Sequence, residues 1–343
     1  MIETSLHQSE PVALPGRPFG AVAGSIAGHA LLTALMIVTP MLPVFVPAAL
    51  LHCGLRNGRR AAWLAAALAM MLVALYAASA TPPDADTARL ARVSFAAIGL
   101  AIVLPSLLVL PLVERAARFG QVLALLLLGS IAGLALTELA SRAFLPHSAY
   151  GAFLAAMEKS NAQAIATYRS AGVPAEMLRS MEQWGTFLLP AFVLMMFAVV
   201  FILSLLMLGR LKAWHDLAAR RGDGEALGAY LFRNLSLPDW LLFAFIAGGL
   251  TPLATGLLQK VAANTLAVVA FLYILQGVAI FRFLLAAMGA GFAGTVLGLL
   301  LLTVLTFTGV APLLLGVAGL FDSFFDFRHF KKRKDDSHES HSD

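Results

Sequence analysis

Apolar stretches about twenty residues long recur along this chain from about Gly20 to about Gly319. A helix needs ~20 mostly apolar residues to cross the hydrocarbon core of a bilayer, where no water satisfies the backbone. Only helices and closed barrels meet that condition, and the short alternating strands of a barrel are missing here. Composition agrees: 60% of the residues are hydrophobic and 13% charged, against roughly 25% charged in soluble domains. The reading is an all-α, polytopic transmembrane helical bundle of about eight to ten membrane-spanning segments, with short extramembrane helices.

The first span is expected over residues 19–38, after a polar N-terminal segment, 1–18, that carries one base and resembles no cleavable signal. Pro40, Pro43 and Pro47 each lack an amide donor, so TPMLPVFVP bends the path into a second, interrupted span. Further spans are expected at 61–80, 93–113, 120–140 and 184–208, then from LSLPDW onward and at 262–284. In LSLPDW, Ser236 and Asp239 have capping-box spacing and Trp240 suits the membrane interface. The region 288–320 is long for one crossing and short for two, and TGVAP could form its turn. Two polar inserts, 141–182 and 210–236, interrupt the spans; Glu138 and Arg142, one helical turn apart, form an ion pair where the first begins.

Loop charge sets orientation. All but seven of the 24 Lys and Arg fall on one side in this topology; the exceptions are Arg89, Arg92, Arg142, Lys159, Arg169, Arg179 and Lys260. The richer side is cytoplasmic by the positive-inside rule. It holds both termini and the 210–236 insert, and the 141–182 insert faces the periplasm. The +5 net charge then reflects topology rather than nucleic-acid binding. The end of the chain, 321–343, reads as an interfacial helix followed by a polybasic cytoplasmic tail, with Arg328, Lys331, Lys332, Arg333 and Lys334 as anchors to anionic lipid. Trp240 and Arg282 are interface anchors at the span ends.

Polar and small residues within the spans carry the functional information. Gly20, Gly24 and Gly28 form a GxxxGxxxG ridge that lets another helix come close, either within this chain or from a separate subunit. Ser25, His29 and Thr33 run beside it at i, i+4 and i+8. In FLYILQGVAIFRF, Tyr273, Gln276 and Gly277 share one helical face, so the amide must point into the bundle to find partners. Arg282 sits ~240° around the helix from Gln276 and does not share that face. Gln276 therefore meets either a neighbouring helix across the gap left by Gly277, or a polar ligand held with Tyr273 and Asn264.

No Walker A, HExxH, GxSxG or CxxC sequence is present, and no enzyme activity, cofactor or metal site is expected. His338 and His341 in the tail are too isolated to be read as a metal site. LPDW at 237–240, Asn264, FLYILQGVAIFRF and the closing GLFDSFFDFR resemble the YybS-like family of bacterial multi-pass membrane proteins. That resemblance implies a bacterial inner-membrane location and brings no catalytic signature. The glycine ridge is similar in kind to the first helix of the S components of energy-coupling-factor vitamin transporters, which docks a transmembrane partner. The expected function is a membrane-embedded binding or transport-associated subunit for a small molecule or lipid, with Tyr273, Gln276 and Asn264 as ligand contacts. The alternative is a membrane scaffold that recruits partners through its cytoplasmic insert and tail.

Overall fold

The computed structural model describes residues 19–39, 42–79, 85–144, 148–222, 228–307 and 309–325. The N-terminal segment, the five basic anchors of the tail, His338 and His341 lie outside these residues. Among the described residues every regular element is helical.

Six of these helices are long and apolar enough to cross a membrane. They are α1 (Phe19–Val38), α3 (Arg59–Ser79), a composite span ending at Glu114, α7 (Phe119–Phe144), α10 (Leu189–Leu208) and α13 (Gly256–Ala287). A bent pair, α14 (Phe292–Phe307) and α15 (Val310–Phe325), makes a seventh if counted as one span. This is fewer than the eight to ten expected, because two expected spans are short helices. One is α2 (Val46–Asn57), of 12 residues, and the other is α12 (Leu241–Gly249), of 9. At 1.5 Å per residue they reach roughly 18 and 14 Å, about half the hydrocarbon core. The break in the last region falls within TGVAP, but the two halves are bent by 112° rather than folded back on each other.

Prolines explain the interruptions. The segment before α2 tightens into a 3₁₀ turn, Leu42–Phe45, and α2 opens with Pro47 in its first turn, where a missing N–H costs nothing. The composite span runs from α4 (Ala85–Ile98) through a π-helical turn (Gly99–Val103) into α5 (Leu104–Leu108) and α6 (Leu110–Glu114). Pro105 cannot donate to the Ala101 carbonyl four residues earlier. The turn widens, the Leu104 N–H reaches Gly99, and Ser130 on α7 donates its hydroxyl to the Ala101 carbonyl at 2.6 Å. Such wide turns are commonly found where a helix accommodates an inserted partner.

The polar inserts are also helical. α8 (Ala149–Ser170) and α9 (Ala175–Phe187) form a hairpin that returns the chain to α10. After α10, α11 (Lys212–Arg221) turns its Trp214 fully inward against Tyr230, whose ring in turn meets Phe119. That aromatic cluster pins the 210–236 insert to the start of α7, and burial pushes the ionisation of the Tyr230 phenol above its ordinary range.

Gly133 shows how closely α7 meets the π turn: a Cβ there would stand 2.1 Å from the Leu100 carbonyl oxygen. No rotamer relieves a clash with backbone. Gly133→Ala is expected to cost about 1–3 kcal/mol, read as a lower thermal midpoint in detergent. Gly20→Ala, whose added Cβ meets nothing within 4 Å, should leave the midpoint within error, and equal effects from the two would contradict this packing.

Candidate functional site

Gln276 is fully buried on α13, and both ends of its amide have protein partners. Its Oε1 accepts a hydrogen bond from the Leu237 N–H at 3.0 Å, and its Nε2 donates to Asp322 Oδ2 on α15 at 3.0 Å. The residue before a proline is held extended, so Leu237, followed by Pro238, offers its N–H sideways rather than to a helix. The expected cap at Ser236 does not form. α12 starts only at Leu241, Trp240 precedes it without a side-chain cap, and the Ser236 carbonyl packs against Gly120 at the start of α7.

Glycines bring the backbones together around this amide. A Cβ on Gly277 would stand 2.0 Å from the Leu315 carbonyl oxygen, and one on Gly319 would stand 2.0 Å from that of Tyr273. Tyr273 is buried and meets Phe245 of α12 edge to face at 5.7 Å. Residues 321–325 therefore belong to a packed helix, and Asp322 faces the bundle rather than a membrane surface. Arg282 is exposed near the end of α13, apart from this network.

Asn264 does different work near the other end of α13. Its Oδ1 accepts from the Ala191 N–H at 2.8 Å, and its Nδ2 donates to the carbonyls of Phe187 and Lys260 at 3.0 and 2.8 Å. The first N–H groups of a helix have no partner within it. Asn264 thus caps α10 from a neighbouring helix, at the first turn that holds Pro190.

Between these two clasps lies a cavity of about 510 Å³. α7, α10, α12 and α13 form its sides, and Tyr150 of α8 reaches its edge. The walls are mainly aliphatic, including Leu127, Leu194, Ala244 and Val268; Lys260, Asn264 and Trp240 supply polar atoms. From Leu257 to Leu272 the α13 wall runs roughly 22 Å at 1.5 Å per residue, long enough for an extended hydrocarbon chain. A second apolar cavity of about 510 Å³ lies between α4, α7, α8 and α10 and shares Ile131, Tyr150, Pro190 and Leu194 with the first.

Tyr150 is held in place by three consecutive caps at the start of α8. Ala149, Tyr150 and Gly151 donate their N–H groups to Ser141 Oγ, Glu138 Oε2 and Ser148 Oγ at 2.8, 2.8 and 2.9 Å. Glu138 also pairs with Arg142 at 2.7 Å, the ion pair that their spacing suggested. Lys260 has no acidic partner among the described residues.

Of the three ligand contacts expected from sequence, Asn264 alone lines either cavity, and its amide is already committed to backbone. Tyr273 and Gln276 lie in the contact between α13 and α15. Gly277 is likewise in a helix contact, whereas Gly20, Gly24 and Gly28 are exposed and a Cβ on any of them would meet nothing within 4 Å. Sequence reading counts Lys260 only as a charge of the poorer side, and it misses the cavity walls, whose residues are mainly ordinary aliphatics.

A family model described as a predicted membrane protein, DUF2232, matches residues 29–323, from α1 through the buried Asp322. The chain belongs to that family. The match takes in both clasps and every wall of the two cavities, and starts just after the glycine ridge. No curated protein and no solved structure matches the chain.

Replacing Gln276 with Leu would strand the Leu237 N–H in an apolar interior and take one hydrogen bond from Asp322. The loss is expected to be roughly 2–5 kcal/mol, since each unmade buried bond costs about 1–3 kcal/mol and more for a charge. Thermal unfolding in detergent measures it. An unchanged midpoint with lost ligand retention would instead place Gln276 at a binding site.

Proposed function

We propose that this membrane protein binds the hydrocarbon chain of a lipid-like amphiphile in the cavity between α7, α10, α12 and α13. One observation carries the reading: a 510 Å³ aliphatic groove with a lysine at one end that no acid of the described residues neutralises. The volume falls within the roughly 300–1,000 Å³ of ordinary ligand pockets. An apolar chain would gain its affinity by leaving its surroundings for a preformed wall, and Lys260 would favour a carboxylate or phosphate on the chain's end. The reading places the protein in a bacterial inner membrane with both termini cytoplasmic, and Lys260 then lies towards the outer leaflet.

The exposed glycine ridge supports a second element of this reading. Gly20, Gly24 and Gly28 leave α1 with a smooth outer face that none of the described residues covers. A transmembrane helix of another subunit would pack there by close backbone approach, which suits a binding subunit that works with a partner. A scaffold would use the same face without needing the groove.

The test is retention of chains of matched length by the purified full-length protein, followed by native mass spectrometry or displacement of a fluorescent fatty acid. Ala244→Trp, which places an indole in the groove, should weaken binding by at least about tenfold, or ~1.4 kcal/mol. Lys260→Gln should weaken an anionic chain roughly two- to fivefold, the size of a solvent-accessible ion pair, and leave an uncharged chain unaffected. No retention of any chain, or equal binding by Ala244→Trp, would favour the scaffold.

A further inference from the structure

A polar cleft of about 360 Å³ between α1 and α2 stands apart from the groove. Ser25, Gly28 and His29 of α1 and Arg56 of α2 line it, with Leu32 at one edge. The donors dominate its chemistry. His29 Nδ1 lies 2.7 Å from the Ser25 carbonyl oxygen, which can only accept, so Nδ1 carries the proton and Nε2 is the free ring nitrogen. Ser25 Oγ accepts from Asn57 Nδ2 at 2.9 Å, which leaves the serine's own proton to donate elsewhere.

Arg56 brings the formal charge among the described residues that line the cleft. The imidazole of His52 lies 5.4 Å from that of His29, centroid to centroid, and Arg56 follows one turn later on α2. No acid of the described residues pairs with any of these three, whereas Arg59, in the same basic turn, is matched by Glu114 at 2.7 Å. A planar guanidinium beside a hydroxyl proton is a pair of donors suited to a tetrahedral oxyanion, and His29 Nε2 joins them as a donor when the bound anion brings a second proton to the ring. Gly28 keeps the space open, because a Cβ there would meet nothing within 4 Å.

We propose that Ser25, His29 and Arg56 form a binding site for a phosphate-class anion, either the headgroup of an anionic lipid or a free phosphate ester. Leu32 and the exposed Leu31 and Leu35 along the same helix suit a headgroup whose chains run beside α1. The site is independent of the groove: it uses different helices and shares no lining residue with it.

The test uses the full-length protein in nonionic detergent, with side-chain nitrogen NMR of His29 and His52 as the readout. Dihexanoyl phosphatidate, inorganic phosphate and an uncharged dihexanoyl glycerolipid are titrated separately. Phosphatidate should shift the His29 resonances saturably, and the uncharged lipid should not. Inorganic phosphate binding as tightly as phosphatidate would assign the site to a free anion; much weaker binding would assign it to a lipid headgroup. Arg56→Gln should weaken binding by about tenfold or more, and Gly28→Leu should close the cleft with its charges intact. Should Gly28→Leu fail to fold, Arg56→Gln, at an exposed position, still decides the matter. Absence of any saturable shift, a matching response to the uncharged lipid, or native-like binding by Arg56→Gln would overturn the proposal.

Discussion

A backbone polar group inside hydrocarbon has no water to turn to, and this chain creates several such groups by breaking its helices with proline. Four of these breaks are each met by a polar side chain from another helix. Ser130 answers the Ala101 carbonyl that Pro105 leaves free. Asn264 caps α10 beside Pro190, and Gln276 takes the Leu237 N–H beside Pro238. Ser204 donates to the Val44 carbonyl at 2.6 Å, in the turn between Pro43 and Pro47. A buried group left without a partner costs about 1–3 kcal/mol, so four such bonds fix where the broken ends sit. Polar residues that looked like ligand contacts are, in this arrangement, what makes irregular backbone tolerable at membrane depth.

The breaks also shape the space available for function. Pro190 and Leu237 both line the cavity between α7, α10, α12 and α13, as do Asn264 and Trp240. α12 is too short to fill the width of a full span, and α10 begins only at Leu189, after the turn that Asn264 ties down. The two clasps on α13 hold these ends apart, and an aliphatic groove remains between them. A substitution at Gln276 or Asn264 would then alter binding through wall position, without either amide touching a ligand.

Much of this fold is written in local sequence, and the site much less so. Runs of twenty apolar residues announce α1, α3, α7 and α10 because membrane crossing is set by length and hydropathy alone. The same criterion overcounts, since α2 and α12 lie inside apolar runs and their shortness depends on where prolines fall relative to packing. Gln276 had to face inward, as a buried amide demands, and that much follows from its neighbours. Its partners are 39 and 46 residues away in sequence, and only the fold brings them together. Helical spacing showed the ridge of Gly20, Gly24 and Gly28, but a period cannot say whether a face meets its own chain or the surroundings. The groove left no trace, because a cavity is a property of what several helices fail to fill.

The central claim is that α13 divides its roles: Gln276 and Asn264 hold the architecture, and the wall between them holds a hydrocarbon chain. Photo-crosslinking with a long-chain fatty acid that carries a diazirine along its tail tests this most directly, with labelled peptides mapped by mass spectrometry. The account predicts labelling concentrated on the groove-lining residues of α7, α12 and α13, such as Leu127, Ala244 and Val268, and competed by excess unlabelled fatty acid. Labelling spread evenly over the exposed lipid-facing residues of α14, or undiminished by competitor, would contradict it.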